Sequence, residues 1–311
     1  MNRAMALHLV LLALLIAAGV LLPTYHQGNL ARILVLATYA TGYNLLFGYT
    51  GLLSLGHAMF FGAGMYGLGL AMQHGGLTPV PAFLIGLACA AVLSAVVAML
   101  ALRTIGVAFM IVTLMFAQTA FLTVLYFGTW TRGDEGFVLQ QSTRQIAGLD
   151  LTDPTTRYYV ALSLFTAALL ITARLMQVRF GHVLIAIREN EERTRMLGYD
   201  TQRHKFLALV LSGTISGAAG AGYALLFGYV GATFTSVQYS IFPLLWVLLG
   251  GAGTTIGPFV GTLFMFYLID WSSGVTNAYL MIVGVVLVLL TLFARAGIMG
   301  EVRRRWARWL P

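Results

Sequence analysis

Charge is what this sequence has least of. Aspartate, glutamate, lysine and arginine together make up 9 % of its 311 residues, against about 25 % in soluble domains. A single cysteine, Cys89, excludes a disulfide framework and leaves no thiolate set for a structural zinc cluster. A single lysine, Lys205, follows His204, so no G-x-x-x-x-G-K-[ST] loop exists and ATP is not bound in that manner. No H-E-x-x-H pair and no G-x-S-x-G elbow occurs. Ser54 and His57 stand three residues apart, but no carboxylate lies near in sequence to orient the histidine. They read as a polar turn at a broken helix. The apolar runs hold almost no carboxylate, Asp270 near the outer end of the ninth being the exception, so no proton relay is built. These absences leave neither catalytic residues nor a metal site, and the chain does not read as an enzyme.

What is present is apolar. Hydrophobic residues reach 59 %, which excludes disorder. Ten apolar runs follow one another: Met5–Leu22, Ile33–Phe47, Ala58–Met72, Pro81–Leu102, Val107–Phe127, Tyr158–Met176, Phe206–Phe227, Ile241–Leu249, Ile256–Ile269 and Ala278–Phe293. In lipid every backbone group must be paired, and continuous runs of this length are helices rather than barrel strands. The fold class is an all-α polytopic membrane protein of about eight to ten transmembrane helices. Runs eight and nine are short and read as a broken or re-entrant pair near 241–270. The first run, behind Arg3, lacks a convincing small-residue cleavage site before Pro23 and reads as an uncleaved span.

The net charge of +8 reads as topology, not nucleic-acid binding, because the arginines sit between apolar runs. Residues 128–157 carry four acidic residues against three basic ones and fall outside. Residues 174–205 carry seven basic residues against four acidic, and the tail carries Arg295, Arg303, Arg304, Arg305 and Arg308 against Glu301. Both belong in the cytoplasm. The parity of the runs agrees, with both termini cytoplasmic. The whole of 1–311 reads as one transmembrane domain with an external loop at 128–157, a cytoplasmic loop at 177–205 and a basic tail at 295–311.

One segment repeats. Leu45–Gly51 (LLFGYTG) returns as Leu225–Gly231 (LLFGYVG), six of seven residues matching. The two copies end runs two and seven, which face opposite sides, as an inverted repeat requires. Asn44, Ser54, His57, Thr113 and Gln118 are polar residues within or beside apolar runs, expected to face the bundle or line a pathway. The stretch from Gly250 to Gly261, with Gly251, Gly253, Thr254, Gly257 and Pro258, holds five glycines and a proline in twelve residues. No continuous helix survives that. It is either a turn between spans or a re-entrant tip, and a candidate gate. Between Phe180 and Phe206 the pattern predicts a short amphipathic helix, with Gly198 as its C-terminal cap. Its mixed charge favours a protein partner over lipid.

These motifs resemble a known family. Phe180-Gly181-His182, Ala186 to Glu191, Gly198-Tyr199 and Lys205-Phe206 resemble the cytoplasmic coupling loop of branched-chain amino-acid ABC importer permeases. Gly250 to Gly261 is similar to that family's G-G-x-G-T-x-x-G-P-x-x-G stretch, and Tyr43 to His57 is similar to its N-terminal signature. The chain departs at Glu192–Arg195, where relatives often carry small residues. The resemblance implies one membrane subunit of an importer in the bacterial inner membrane. Its partners would be a second permease subunit, two cytoplasmic ATPases and a periplasmic substrate-binding protein. ATP and Mg would belong to the ATPases, with no cofactor on this chain. Arg188, Glu189, Asn190, Glu191, Gly198 and Lys205 would form the ATPase coupling segment. Asn44, Ser54, His57, Gln118 and the glycine stretch would form the pathway or gate. The substrate implied is a branched-chain amino acid. Urea, short amides or another amino acid, and a stand-alone channel or secondary carrier for a neutral solute, remain open from the residues alone.

Overall fold

The computed structural model describes residues 3–146, 148–276, 278–293 and 296–305. Arg295 and Arg308 of the basic tail lie outside the described residues. Each apolar run becomes a helix. They are α1 (Arg3–Leu21), α2 (Thr24–Asn44), α3 (His57–Gln73), α4 (Pro79–Ala101) and α5 (Val107–Tyr126). A single turn, α6 (Gly128–Thr131), precedes α7 (Pro154–Gln177). Two short helices, α8 (Arg179–Glu189) and α9 (Glu191–Met196), lead to α10 (Thr201–Phe227). The chain ends with α11 (Val237–Gly250), α12 (Gly257–Val275), α13 (Tyr279–Phe293) and α14 (Gly297–Arg305).

Among the described residues, five helices are long and apolar enough to cross a membrane: α2 with its extension to Tyr49, α4, α5, α7 and α10. Helix α11 has 14 residues, about 21 Å, less than the ~30 Å hydrocarbon core. Regular α-helix is interrupted before both α11 and α3, by a 3-10 turn at Ala232–Thr235 and by irregular backbone at 50–56.

That shared feature is the inverted repeat. Helix α3 begins six residues after Gly51, and α11 begins six residues after Gly231. Helices α3 and α4 pack on α10, while α11 and α12 pack on α2. The units α2–α3–α4 and α10–α11–α12 thus exchange partners across the bundle. Their first helices run antiparallel: α2 ends beside Arg188, and α10 ends beside the 128–157 segment. The two copies of the echo differ locally. The first continues α2 through a π-helical turn, Leu45–Tyr49, and the second stops at Gly228 in the left-handed region.

Helices α2 and α10 form the buried centre. Small residues allow this. A side chain at Gly64 would strike the backbone of Gly217, and one at Gly217 would strike Ala90, the close approach typical of membrane helices. Around them pack the fully buried rings of Tyr39, Tyr43, Phe60, Phe61, Tyr158 and Phe165.

The 128–157 segment closes one end. Strand β1 (Phe137–Val138) pairs antiparallel with β4 (Tyr229–Val230), and β2 (Gln145–Ile146) pairs with β3 (Leu149–Asp150). Arg144, buried beneath them, donates to the carbonyls of Leu225 and Leu226 at 2.8 and 2.5 Å. It thereby satisfies the carbonyls that the end of α10 leaves unpaired. At the opposite end lie the α8–α9 hairpin, the 251–256 turn, the start of α1 and α14.

Candidate functional site

The hairpin at 177–205 is built differently from the single helix its pattern predicts. Asn190 leaves the helical region (φ −161, ψ 103), and its side chain accepts the Arg193 N–H at 2.9 Å. It ends α8 and N-caps α9, since a cap side chain competes with helix continuation. Gly198, at φ 88, closes α9 in a left-handed conformation, as expected for a C-terminal glycine. Asp200 then caps α10 by accepting the Arg203 N–H at 3.0 Å.

Lys205 sits in the first turns of α10 with its side chain only 3 % exposed. Its ammonium lies 2.6 Å from the Glu191 carboxylate, which also accepts from the Thr201 hydroxyl at 3.1 Å. This pair pins α9 to α10. Burial pushes the Glu191 carboxyl up, but Lys205, Thr201 and Arg195 outweigh it and hold it below the usual carboxylate range. Glu189 is exposed.

Arg188 reaches into the bundle. Its guanidinium donates to the Gly48 carbonyl on the π-turn of α2. Among the described residues it has no ion pair. The π-turn matters because it leaves a carbonyl free of the helical ladder, a common device at functional sites. Gly253 borders the same guanidinium: a side chain there would approach Arg188 Nη1 to 2.7 Å, and its φ of 77 suits glycine alone.

The glycine stretch is a turn between α11 and α12, on the hairpin's side of the bundle. Asn44 holds it with both ends of its amide. Oδ1 accepts the Gly253 N–H at 2.9 Å, and Nδ2 donates to the Thr254 carbonyl at 3.0 Å. The Thr254 hydroxyl donates to the Gly251 carbonyl and accepts the Gly257 N–H. The hydroxyl of Thr255 lies 2.8 Å from His8 on α1. Gly250 packs so tightly that a side chain would penetrate the Gly257 carbonyl. Pro258 takes the start of α12, where a missing N–H is harmless. Gly297 of α14 abuts Gly251 from below. Four elements thus converge on one turn: α1, α2, α8 and α14.

The other polar positions lie deeper or elsewhere. His57 starts α3, wholly buried, with Nε2 2.8 Å from the Ser212 hydroxyl. Ser212 donates to the Gly42 carbonyl at 2.6 Å, so the proton between them is the imidazole's. The Ser54 carbonyl accepts from the Tyr43 hydroxyl at 2.9 Å, and its own hydroxyl accepts the Gly56 N–H. The Ala58 N–H in the first turn of α3 donates to Ser240 in the first turn of α11 at 2.9 Å. The two broken helices therefore meet end to end inside the bundle. Thr113 accepts the Leu55 N–H at 3.2 Å. Gln118 departs from the expectation for such residues. It is exposed on α5, because α5 buries little of itself against the bundle.

Sequence reasoning missed the hairpin tip. Met196, Leu197 and Tyr199 are exposed, the first two at 84 % and 72 %. Three large apolar residues flanking one glycine in a charged hairpin were the signal available. The π-turn and the cap at Arg144 had no sequence signal of their own.

The Asn44 amide yields a prediction. Asn44→Ala strands the Gly253 N–H and the Thr254 carbonyl in a dry site, each at about 1–3 kcal/mol. Detergent thermal melts should show a loss of ~2–4 kcal/mol, with Asn44→Asp between the two because it restores only the acceptor. A melt unchanged by Asn44→Ala would remove this amide as the turn's anchor.

Broken helices joined mid-bundle, an inverted repeat and a charged hairpin bonded to the end of α2 beside a glycine turn fit a polytopic helical transport subunit. Residues 27–293 match the family described as branched-chain amino acid transport system / permease component, and the chain belongs to that family. It is 26 % identical over 285 residues to the high-affinity branched-chain amino acid transport system permease protein LivM of Escherichia coli, covering 84 % of this chain and 67 % of that protein. The Salmonella typhimurium protein of the same name is 28 % identical over 289 residues, with the same coverage. A probable LivM of Methanocaldococcus jannaschii is 36 % identical over 91 residues, 29 % of this chain and 26 % of that one. No solved structure matches.

Proposed function

We propose that this chain is a membrane-spanning subunit of an ABC importer that moves branched-chain amino acids inward by alternating access. It lies in the bacterial inner membrane with both termini, the α8–α9 hairpin and the glycine turn in the cytoplasm. ATP and Mg are handled by two partner ATPases, and a periplasmic binding protein delivers the solute. The observation that carries this reading is Arg188 bonded to Gly48 beside Gly253. It joins a solvent-facing hairpin to the end of α2, whose Asn44 holds the turn where α11 ends and α12 begins. With no nucleotide loop of its own, the chain needs an outside source of work. A hairpin with an apolar tip at Met196, Leu197 and Tyr199 is the part an ATPase can grip. The hairpin and the glycine turn then move as one body and carry α11 and α12 with them.

A second permease subunit fits the exposed face of α5. Gln118 there has an amide that lipid cannot satisfy and a protein partner can.

The test is a mild-detergent pull-down of the tagged chain with mass spectrometry, followed by leucine uptake into liposomes. We expect co-purifying ATPase and permease partners and uptake that requires ATP. Gly198→Pro, which removes the left-handed cap, should abolish uptake and leave membrane insertion intact. ATP-independent uptake by the isolated chain would favour a channel or carrier and overturn the proposal.

A further inference from the structure

A pocket of about 310 Å³ opens between α2, α11 and α12, large enough for a small solute. Tyr239, Phe242, Trp246 and Phe266 form its aromatic walls, and Asp270 and Ser273 stand at its rim. Phe242 and Trp246 stack with centroids 5.9 Å apart and planes 11° apart. The pocket lies on the side away from the hairpin, because α12 leaves the glycine turn at Gly257 and reaches Asp270 fourteen residues into its length. Tyr239 adjoins Ser240, which bonds the start of α3.

Asp270 is exposed at that rim, and among the described residues it has no ion pair. Asp270 directly follows the apolar run Ile256–Ile269, and a carboxylate beside such a run is a candidate functional position. Aromatic faces beside a carboxylate form a cage for a cation, through the ring quadrupole and the opposite charge. The same walls are apolar enough for a branched alkyl group. With no basic residue among those that line the pocket, its acidic rim repels a free carboxylate and selects an ammonium.

We propose that this pocket is an outward-facing subsite for the primary ammonium of an aliphatic amino acid. Asp270 is its counter-ion, and Phe242, Trp246 and Phe266 receive the side chain. The proposal rests on the importer reading for its solute, but its chemistry stands on the pocket alone.

The experiment is saturation-transfer NMR on the full chain in phosphatidylcholine nanodiscs. One probe is isopentylamine, which keeps the ammonium and the branched alkyl group. The other is isocaproate, which keeps the alkyl group and carries only a carboxylate. Isopentylamine should bind about tenfold better than isocaproate, and leucine should compete with it. Asp270→Asn should abolish that preference, Asp270→Glu should keep it, and Phe266→Leu should weaken amine binding severalfold. Equal binding of both probes, or amine binding untouched by Asp270→Asn, would overturn the proposal. Loss of isopentylamine binding when phosphatidylethanolamine replaces phosphatidylcholine, with leucine failing to compete, would assign the pocket to a lipid amine and also overturn it. No ATP enters the measurement, so failure of ATP-driven uptake and failure of this subsite are read separately.

Discussion

Arg188→Met should cut leucine uptake by the reconstituted importer about tenfold to a hundredfold while ATP hydrolysis and subunit assembly continue. The reason is geometric. Arg188 belongs to the hairpin, but its guanidinium lies on the Gly48 carbonyl beside Gly253. Methionine keeps the stem's packing and removes the charged donor. A hydrogen bond from a charged group contributes about 1.5–3 kcal/mol, which as a coupling energy is roughly tenfold to a hundredfold. Uptake should fall by about that factor, measured as labelled leucine per ATP hydrolysed. Loss of hydrolysis together with uptake would mean that Arg188 serves ATPase docking instead.

The second large effect concerns Lys205. Breaking a buried pair from one side costs about 3–5 kcal/mol, because the other charge stays buried alone. Glu191 is 29 % exposed, so water recovers part of that, and Glu191→Gln should cost on the order of 2–3 kcal/mol. The double variant Glu191→Gln with Lys205→Met should recover most of the loss, since an apolar chain of similar volume tolerates the same burial. Chemical denaturation in detergent would show both. A double variant as unstable as the single one would mean that the contribution is not ionic. The pH dependence follows from the same pair. Glu191 is held below the usual carboxylate range in the folded protein, so its contribution is complete above that range. It is lost as pH falls through the lowered value.

Much of this was legible in the residues. The order of the apolar helices followed from apolar runs, because lipid leaves the backbone no other pairing. The echo at Leu45 and Leu225 pointed to an inverted repeat, and α3 and α11 carry that symmetry in their positions and partners. The glycine stretch announced a turn by composition. Side-chain destinations were less legible. Arg188 and Glu189 are exposed neighbours of similar polarity, yet Arg188 bonds across to Gly48 at the end of α2. Asn190 looked like one more polar residue of a helix, but it is the break between two. Asn44 and Gly253 lie 209 residues apart, and no local pattern joins them. The exposure of Gln118 depends on how little α5 packs, which tertiary structure alone decides.

The central claim is that hairpin and glycine turn are one mechanical unit, and a distance tests it most directly. Cys89, the single cysteine, is first replaced by serine. Spin labels are then placed at Met196 on the exposed tip and at Ala252 on the turn, and their separation is measured by pulsed electron resonance in the assembled complex. The account predicts one narrow distribution that ATP leaves unchanged, and a broadened one in Arg188→Met. A separation that shifts with ATP in the Arg188 protein, or stays equally narrow without the guanidinium, would contradict it.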